Sequence, residues 1–295
     1  METVDLCPVC RTSEFISFLT VPDHFLTHEV FTIQQCKTCG LKFVNPRPKE
    51  LEMAKYYQTE DYISHNSQKG DFISKLYRIA RGISVRRKHR MVTKYTHVKK
   101  LLDIGCGTGY FLQYCMNKGI EVFGLEPNPM ARSFARDTNK LTVFKDLDEL
   151  GEEANFNCIT MWHVVEHIHS LNDTLSRIKK LLKSDGVLIV AFPNCNSWDA
   201  KKYKQFWAAY DVPRHLYHFN ASSFTELVKN HGWGVTAILP QKLDAYYISL
   251  LSEKYRNGKP NYIKAFYTGL RSNFMAGIHG SGTSSLIFIL APQIS

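Results

Sequence analysis

Asp103 closes an apolar run, Leu101-Leu102-Asp103-Ile104, and Gly105-Cys106-Gly107-Thr108-Gly109 follows it. Such a glycine turn lets backbone N–H groups approach a ligand that a Cβ would keep away. A dinucleotide cradle places its third glycine three positions after the second, where this chain has Tyr110; the third glycine comes at Gly109 instead. A carboxylate on the strand before the glycines repels phosphates and suits a ligand with an ammonium or sulfonium group. Glu126 ends the next apolar run, about twenty residues on, where a carboxylate accepts from ribose hydroxyls. Pro127-Asn128 then turns the chain into a helix. After a third run, Asp146 is placed to accept from an adenine amino group while Leu147 packs on the ring. The ordered set of Asp103, the turn residues Gly105, Cys106, Gly107 and Gly109, then Glu126 with Pro127 and Asp146 with Leu147, describes a site for a cationic adenosine compound.

A second constellation is Cys7-Pro8-Val9-Cys10 with Cys36-Lys37-Thr38-Cys39-Gly40. Four thiolates at this spacing close a tetrahedral zinc site and leave no coordination position for water, so the metal would be structural. A redox dithiol belongs in a βαβ pattern, and neither pair has one. The flanking residues are β-formers such as Phe15, Ile16, Phe18, Val30, Phe31 and Ile33, as in hairpins clamped by a metal.

A third candidate lies in Asp211-Val212-Pro213-Arg214-His215-Leu216-Tyr217-His218-Phe219-Asn220, after the fifth run. His215 and His218 share one face of a turn, and imidazole titrates near neutral pH, as a base for a hydroxyl or carbon acid should. The alternative is that both histidines pin the loop to the sheet. His215 is favoured as the base because it follows the rigid Pro213 and adjoins Arg214, a potential holder of an acidic acceptor.

These groups need a frame. From Val98 onward short apolar runs alternate with longer amphipathic ones, the pattern of a parallel sheet covered by helices. Strands are predicted at Lys100 to Ile104, Glu121 to Leu125, Leu141 to Phe144, Phe156 to Met161 and Gly186 to Phe192, with a closing pair at Gly234 to Leu239 and Ser284 to Ala291. The expected organisation is a zinc-ribbon-like module over 1–45, a helical bridge or lid over 46–97 and an α/β domain over 98–295 whose seven-stranded sheet is doubly wound and Rossmann-like. Tyr57 or Tyr62, and Tyr246 or Tyr247, are expected to face the ligand from the bridge and from the aromatic segment before the last strand.

With 44% hydrophobic residues the chain supports a packed core. No apolar run reaches the roughly 20 residues of a membrane helix, and the N-terminus carries Glu2 and Asp5 rather than a basic lead, so a cytoplasmic protein is expected. The net charge of +10 is concentrated between Lys69 and Lys100, as a solvated helix face or a contact for an acidic partner.

The glycine turn, together with Phe156-Asn157-Cys158-Ile159-Thr160-Met161-Trp162-His163-Val164-Val165-Glu166-His167 and Leu181-Leu182-Lys183-Ser184-Asp185-Gly186-Val187-Leu188, resembles the class I S-adenosylmethionine-dependent methyltransferases, in particular the branch related to ubiquinone-biosynthesis O-methyltransferases. Asn157 stands where that family usually has aspartate. The resemblance implies S-adenosylmethionine as cofactor, with Trp162 and His163 beside its adenosine or sulfonium. A cysteine module ahead of such a domain resembles both sugar C-methyltransferases of polysaccharide gene clusters and ribosomal RNA guanine methyltransferases. The histidine loop resembles a Pro-x-His-Leu-x-x-Phe-Ser region of the polysaccharide group, with Asn220 in place of the serine that caps the next helix. The expected acceptor is a small molecule (saccharide, lipid or quinol-like). RNA is the second choice, since the basic and aromatic stretches lie apart in sequence. A non-catalytic binding protein on a cofactor fold is the third.

Overall fold

The computed structural model describes residues 1–57, 72–151, 155–279 and 282–293, and of the helix residues 72–80 and 276–279 the backbone only. Tyr62 and Lys69 lie outside the described residues.

The chain opens with β1 (Phe15–Pro22), β2 (Val30–Cys36) and β3 (Lys42–Val44). A 3-10 turn at Glu50–Tyr56 and the long helix α1 (Phe72–Tyr95) follow. Then come β4 (Lys100–Ile104), α2 (Tyr110–Met116), β5 (Glu121–Leu125), α3 (Pro129–Asp137), β6 (Thr142–Phe144) and β7 (Phe156–Trp162). After these lie α4 (Leu171–Leu181), β8 (Leu182–Pro193), α5 (Trp198–Tyr203), β9 (Tyr217–His218) and α6 (Ala221–Asn230). The chain continues through β10 (Trp233–Pro240), α7 (Asp244–Asn257), α8 (Tyr262–His279) and β11 (Ser285–Pro292).

Seven strands form one sheet in the order β10-β11-β8-β7-β4-β5-β6. The five strands from β8 to β6 run parallel, while β11 is antiparallel to both of its neighbours. Central strands read as near-continuous apolar runs because helices cover both faces: Leu102, Ile159 and Leu188 point into one core cluster, and Leu101, Cys158 and Ile189 into the other. The expected doubly wound sheet with its late antiparallel pair is what forms, and its strands agree with the expected runs to within a few residues. Local signals set the helix starts. Asn128 accepts from the N–H groups of Met130 and Ala131 ahead of Pro129, and Asn220 accepts from Ser223 N–H at 2.9 Å to cap α6.

The N-terminal sheet contains a strand from far along the chain. Its order is β1-β2-β3-β9, with Lys42 opposite His218 and Phe43 opposite Tyr217. Cys7, Cys36, Leu41 and Phe43 share a core with Phe219 and Phe224, and Asn230 donates to the Val9 carbonyl at 2.8 Å. The loop carrying His215 and His218 is thereby an edge of the cysteine-bearing sheet.

Candidate active site

The glycine turn follows the carboxyl end of β4, at the centre of the sheet, where open α/β sheets bind ligands. Gly105, Gly107 and Gly109 all have positive φ, at 71°, 55° and 81°. A Cβ on Gly105 would stand 2.4 Å from Val164, and one on Gly109 2.3 Å from Leu141, so these two glycines let the turn pack. Above Gly107 no atom lies within 4 Å of the place a Cβ would take. The N–H groups of Gly105 and Cys106 donate to the Leu125 carbonyl, and Gly107 N–H donates to Glu126 Oε2 at 2.8 Å. These amides tie the turn to the end of β5, so what the turn leaves open is the space beside Gly107.

Two buried carboxylates flank the turn. Asp103 is 4% exposed and accepts from Thr160 Oγ1 at 2.6 Å. Burial pushes its carboxyl up to about 6, against the pull of the Lys88 ammonium and the Thr160 hydroxyl. Glu126 is also raised by burial, with the Asn128 and Gly107 N–H groups holding it back. Burial, Asp103 and Glu126 together keep the Cys106 thiol protonated. Two carboxylates beside a turn whose Gly105, Cys106 and Gly107 amides are already bonded suit an ammonium and sulfonium better than a pyrophosphate.

Lys88 of α1 was not singled out by the sequence, where it is one cation in a basic run. Its ammonium sits over the Trp162 ring, 4.7 Å from the centroid, and Asp103 and Asp244 are the charges that favour it there. Burial works the other way and lowers its pKa. The face of Trp162 therefore already accommodates a cation. Asp146 lies at the rim after β6, accepting from the N–H groups of Asp148 and Glu149, with Leu147 packed against the core and Pro127 exposed.

At the end of β7, His163 takes a left-handed conformation (φ 58°) and reaches across to α7. Its Nε2 is 2.9 Å from Asp244 Oδ2, and its Nδ1 is 3.5 Å from Glu166 Oε1. Burial disfavours the cation, but Asp244 and Glu166 outweigh it and raise the imidazole to about 10. Glu166 is 1% exposed, and among the described residues neither of its oxygens accepts a hydrogen bond.

His215 stands on the other side of Glu166. Its Nδ1 lies 2.8 Å from the Ala209 carbonyl, and its Nε2 4.0 Å from Glu166 Oε1 and 3.9 Å from Asp211 Oδ2. A carbonyl only accepts, so Nδ1 carries a proton, and in the neutral ring the lone pair is on Nε2. His167 packs edge-on against His215 at 4.6 Å, with Nδ1 2.9 Å from the Arg214 carbonyl and 3.0 Å from the Tyr57 hydroxyl. Burial, then the charge of His215, lowers His167 to about 4. His218 is placed differently: 3% exposed, edge-on to Tyr210 at 5.2 Å, with burial holding it neutral. Arg214 also turns inward, donating to Asp23 at 2.8 Å and Asp211 at 2.6 Å, which leaves it no free edge for an acidic acceptor. Tyr57 reaches the site through His167, while Tyr246 stacks on Phe266 of α8.

The four cysteines of the N-terminal module converge as their spacing predicts, with all four sulfurs within 4.8 Å of one another and Cys7–Cys39 and Cys10–Cys36 at 3.5 and 3.4 Å. Two matching turns present them: Arg11 N–H donates to the Cys7 carbonyl and Gly40 N–H to the Cys36 carbonyl, with Arg11 and Gly40 both left-handed. None is in a disulfide.

The methyltransferase domain family matches residues 72–238, more than half of the chain, and covers the glycine turn, both carboxylates and the histidine loop. The chain belongs to this family. Among curated relatives of the chain, a ubiquinone biosynthesis O-methyltransferase of Rhodopseudomonas palustris (strain TIE-1) is 29% identical over 103 residues, 33% of this chain and 41% of that protein. A namesake from Vibrio cholerae is 31% identical over 106 residues, 33% of this chain and 43% of the relative. The match thus spans less than half the length of these relatives. In fold the chain is similar to the cyclopropane synthase MmaA2 of Mycobacterium tuberculosis (TM-score 0.53, 16% identity, 84% of this chain and 100% of that one). It is also similar to an S-adenosylmethionine-dependent methyltransferase of Archaeoglobus fulgidus (TM-score 0.50, 20% identity, 71% of this chain and 93% of that one).

Proposed function

We propose that this protein methylates a small-molecule acceptor, with S-adenosylmethionine held by Asp103, Gly105, Cys106, Gly107, Gly109, Glu126, Pro127, Asp146, Leu147, Trp162 and His163. The observation that supports the reading is the buried, ionisable Asp103 beside an open glycine turn; His215, whose Nδ1 bonds the Ala209 carbonyl, is assigned to the acceptor side as part of the proposal. Bound there, S-adenosylmethionine supplies a sulfonium methyl for in-line displacement. The chain's own residues then have two tasks: hold the acceptor at attack distance and take its proton. His215 Nε2 is the proposed base, because Glu166 and Asp211 stabilise the imidazolium it becomes. His218, paired through its backbone to Lys42, anchors the loop that presents it.

Cys7, Cys10, Cys36 and Cys39 would hold one zinc ion, which serves to fix β9 and not the reaction. The name of the curated relatives favours a quinol-like acceptor over a saccharide or a lipid. RNA is the second reading, favoured by the exposed Arg86, Arg87, Arg90 and Lys94 on α1. Radiolabelled methyl transfer into fractionated metabolite, lipid and RNA pools separates these. Label in RNA alone would overturn the small-molecule reading, and no transfer to any pool would favour a binding protein.

A further inference from the structure

α8 is built inside out. Its buried side is small and polar, with Ala265, Thr268 and Ser272 each 3% exposed or less and Gly269 seated against Tyr246, where a Cβ would come within 2.6 Å. Its outer side carries Tyr262, Ile263, Phe266, Tyr267, Leu270 and Phe274, between 48% and 72% exposed. Their spacing places all six on one stripe of the helix. Surface apolar residues are ordinary when scattered; a continuous stripe of this size marks a surface that something covers.

The charge around the stripe indicates what covers it. No aspartate or glutamate follows Glu253 in the sequence, whereas Lys254, Arg256, Lys259, Lys264 and Arg271 do. Glu253 itself is buried and taken up by Tyr203 Oη at 3.0 Å and Asn257 Nδ2 at 2.9 Å. Lys202 of α5 donates to Thr268, and Arg271 lies on the Trp198 ring, so α5 adds its cations to the same rim. After burial, the charges of Arg256, Lys264 and Arg271 lower the Lys202 pKa, a sign of cations crowded together. A second copy of the chain would bring the same cations against these. A nucleic acid would use the charge but leave the aromatic stripe in water. An anionic bilayer surface satisfies both, with aromatic and aliphatic side chains in the acyl boundary and Lys and Arg among the headgroups.

We propose that the α7–α8 hairpin is a membrane-surface anchor, which seats the stripe from Tyr262 to Phe274 in an anionic bilayer with the cations of α5, α7 and α8 around it. No helix among the described residues is long and apolar enough to cross a membrane, so the contact is interfacial.

The test uses the full chain in flotation with phosphatidylglycerol–phosphatidylcholine vesicles and with pure phosphatidylcholine vesicles, beside light scattering without lipid. The anionic vesicles should carry the protein, and neutral ones should carry about tenfold less. Phe266→Ser/Phe274→Ser and Lys259→Glu/Lys264→Glu, all at exposed positions, should each cut anionic-vesicle binding by about tenfold or more while leaving the melting curve unchanged. The proposal is overturned if neither vesicle binds, if the serine variant binds like the parent, or if light scattering shows a dimer that the serine variant dissolves. In the last case the stripe is a subunit interface.

Discussion

His163 Nε2 lies 2.9 Å from Asp244 Oδ2, so an ion pair joins the end of β7 to the first turn of α7. The pair raises His163 to about 10, well above the ordinary histidine value near 6.5. A group held up in the folded state contributes stability that is complete below the unfolded value and disappears as pH rises through the folded one. The melting temperature should therefore fall between about pH 7 and pH 10 in the parent. Asp244→Asn should melt lower at pH 7 and show a flatter profile over that window. A variant with the parent's slope would remove His163 as the titrating group.

Asp103 has the opposite consequence at neutral pH. Its carboxyl is raised to about 6, so its ionised form opposes folding, and the stability this group contributes is complete below about pH 4 and lost as pH rises through about 6. Asp103→Asn keeps an acceptor for the Thr160 hydroxyl and should melt at the same temperature or higher at pH 7.5. S-Adenosylmethionine binding should fall by about ten- to a hundredfold, the loss of one charge-assisted contact. In the parent, calorimetry should show affinity dropping below about pH 6. Tight binding by the variant would mean that Asp103 does not meet the cofactor's cation.

The strands were legible because each central one is covered on both faces and so reads as an unbroken apolar run, and Asp103 and Glu126 were legible because each stands at the end of one. The cysteine cluster was legible for a similar reason, since a thiolate pair within a single turn is a local feature. What escaped was set by distant contacts. β9 is only two residues long and pairs with a strand about 175 positions earlier, which no local pattern announces. Arg214 looked available for a substrate until Asp23, 191 positions away, was seen to occupy it. In sequence Lys88 is indistinguishable from its basic neighbours, and Glu166 is one acid within an apolar stretch. Burial, which singles out both, is a property of the assembled chain.

Lys88 offers a prediction with two additive causes. Its ammonium faces Asp103, and removing it lets burial raise that carboxyl further. It also removes the cation best placed to meet a ligand carboxylate. Lys88→Met should weaken cofactor binding by about tenfold at pH 7 and by more at pH 6. Equal loss at both pH values would mean the lysine acts on the ligand alone.

The two loop histidines should separate in kinetics. His215→Ala should reduce turnover by roughly a hundredfold or more with cofactor affinity intact, once an acceptor is in hand. His218 sits in the core against Tyr210, so His218→Ala should lower the melting temperature through the cavity it leaves. Loss of turnover in His218→Ala without loss of stability would reverse the assignment.

The last prediction concerns the metal. If the cysteine module were an independent unit, stripping zinc would unfold it and leave the larger domain working, because small metal modules draw their folding energy from the ion. The β3–β9 pairing and the shared core of Cys7, Cys36, Phe219 and Phe224 make a different outcome follow. Loss of the ion frees β3, the strand that pairs with β9, two residues beyond His215. Asp103, Glu126 and the glycine turn lie on other strands and keep their positions. Elemental analysis should find one zinc per chain, and chelation or Cys39→Ser should abolish turnover while S-adenosylmethionine still binds by calorimetry. Hydrogen exchange should show new exposure at Leu216 to Phe219 in the stripped protein, with β4 and β5 still protected. A zinc-free protein that keeps its turnover would show that the histidine loop holds its shape without the sheet it completes.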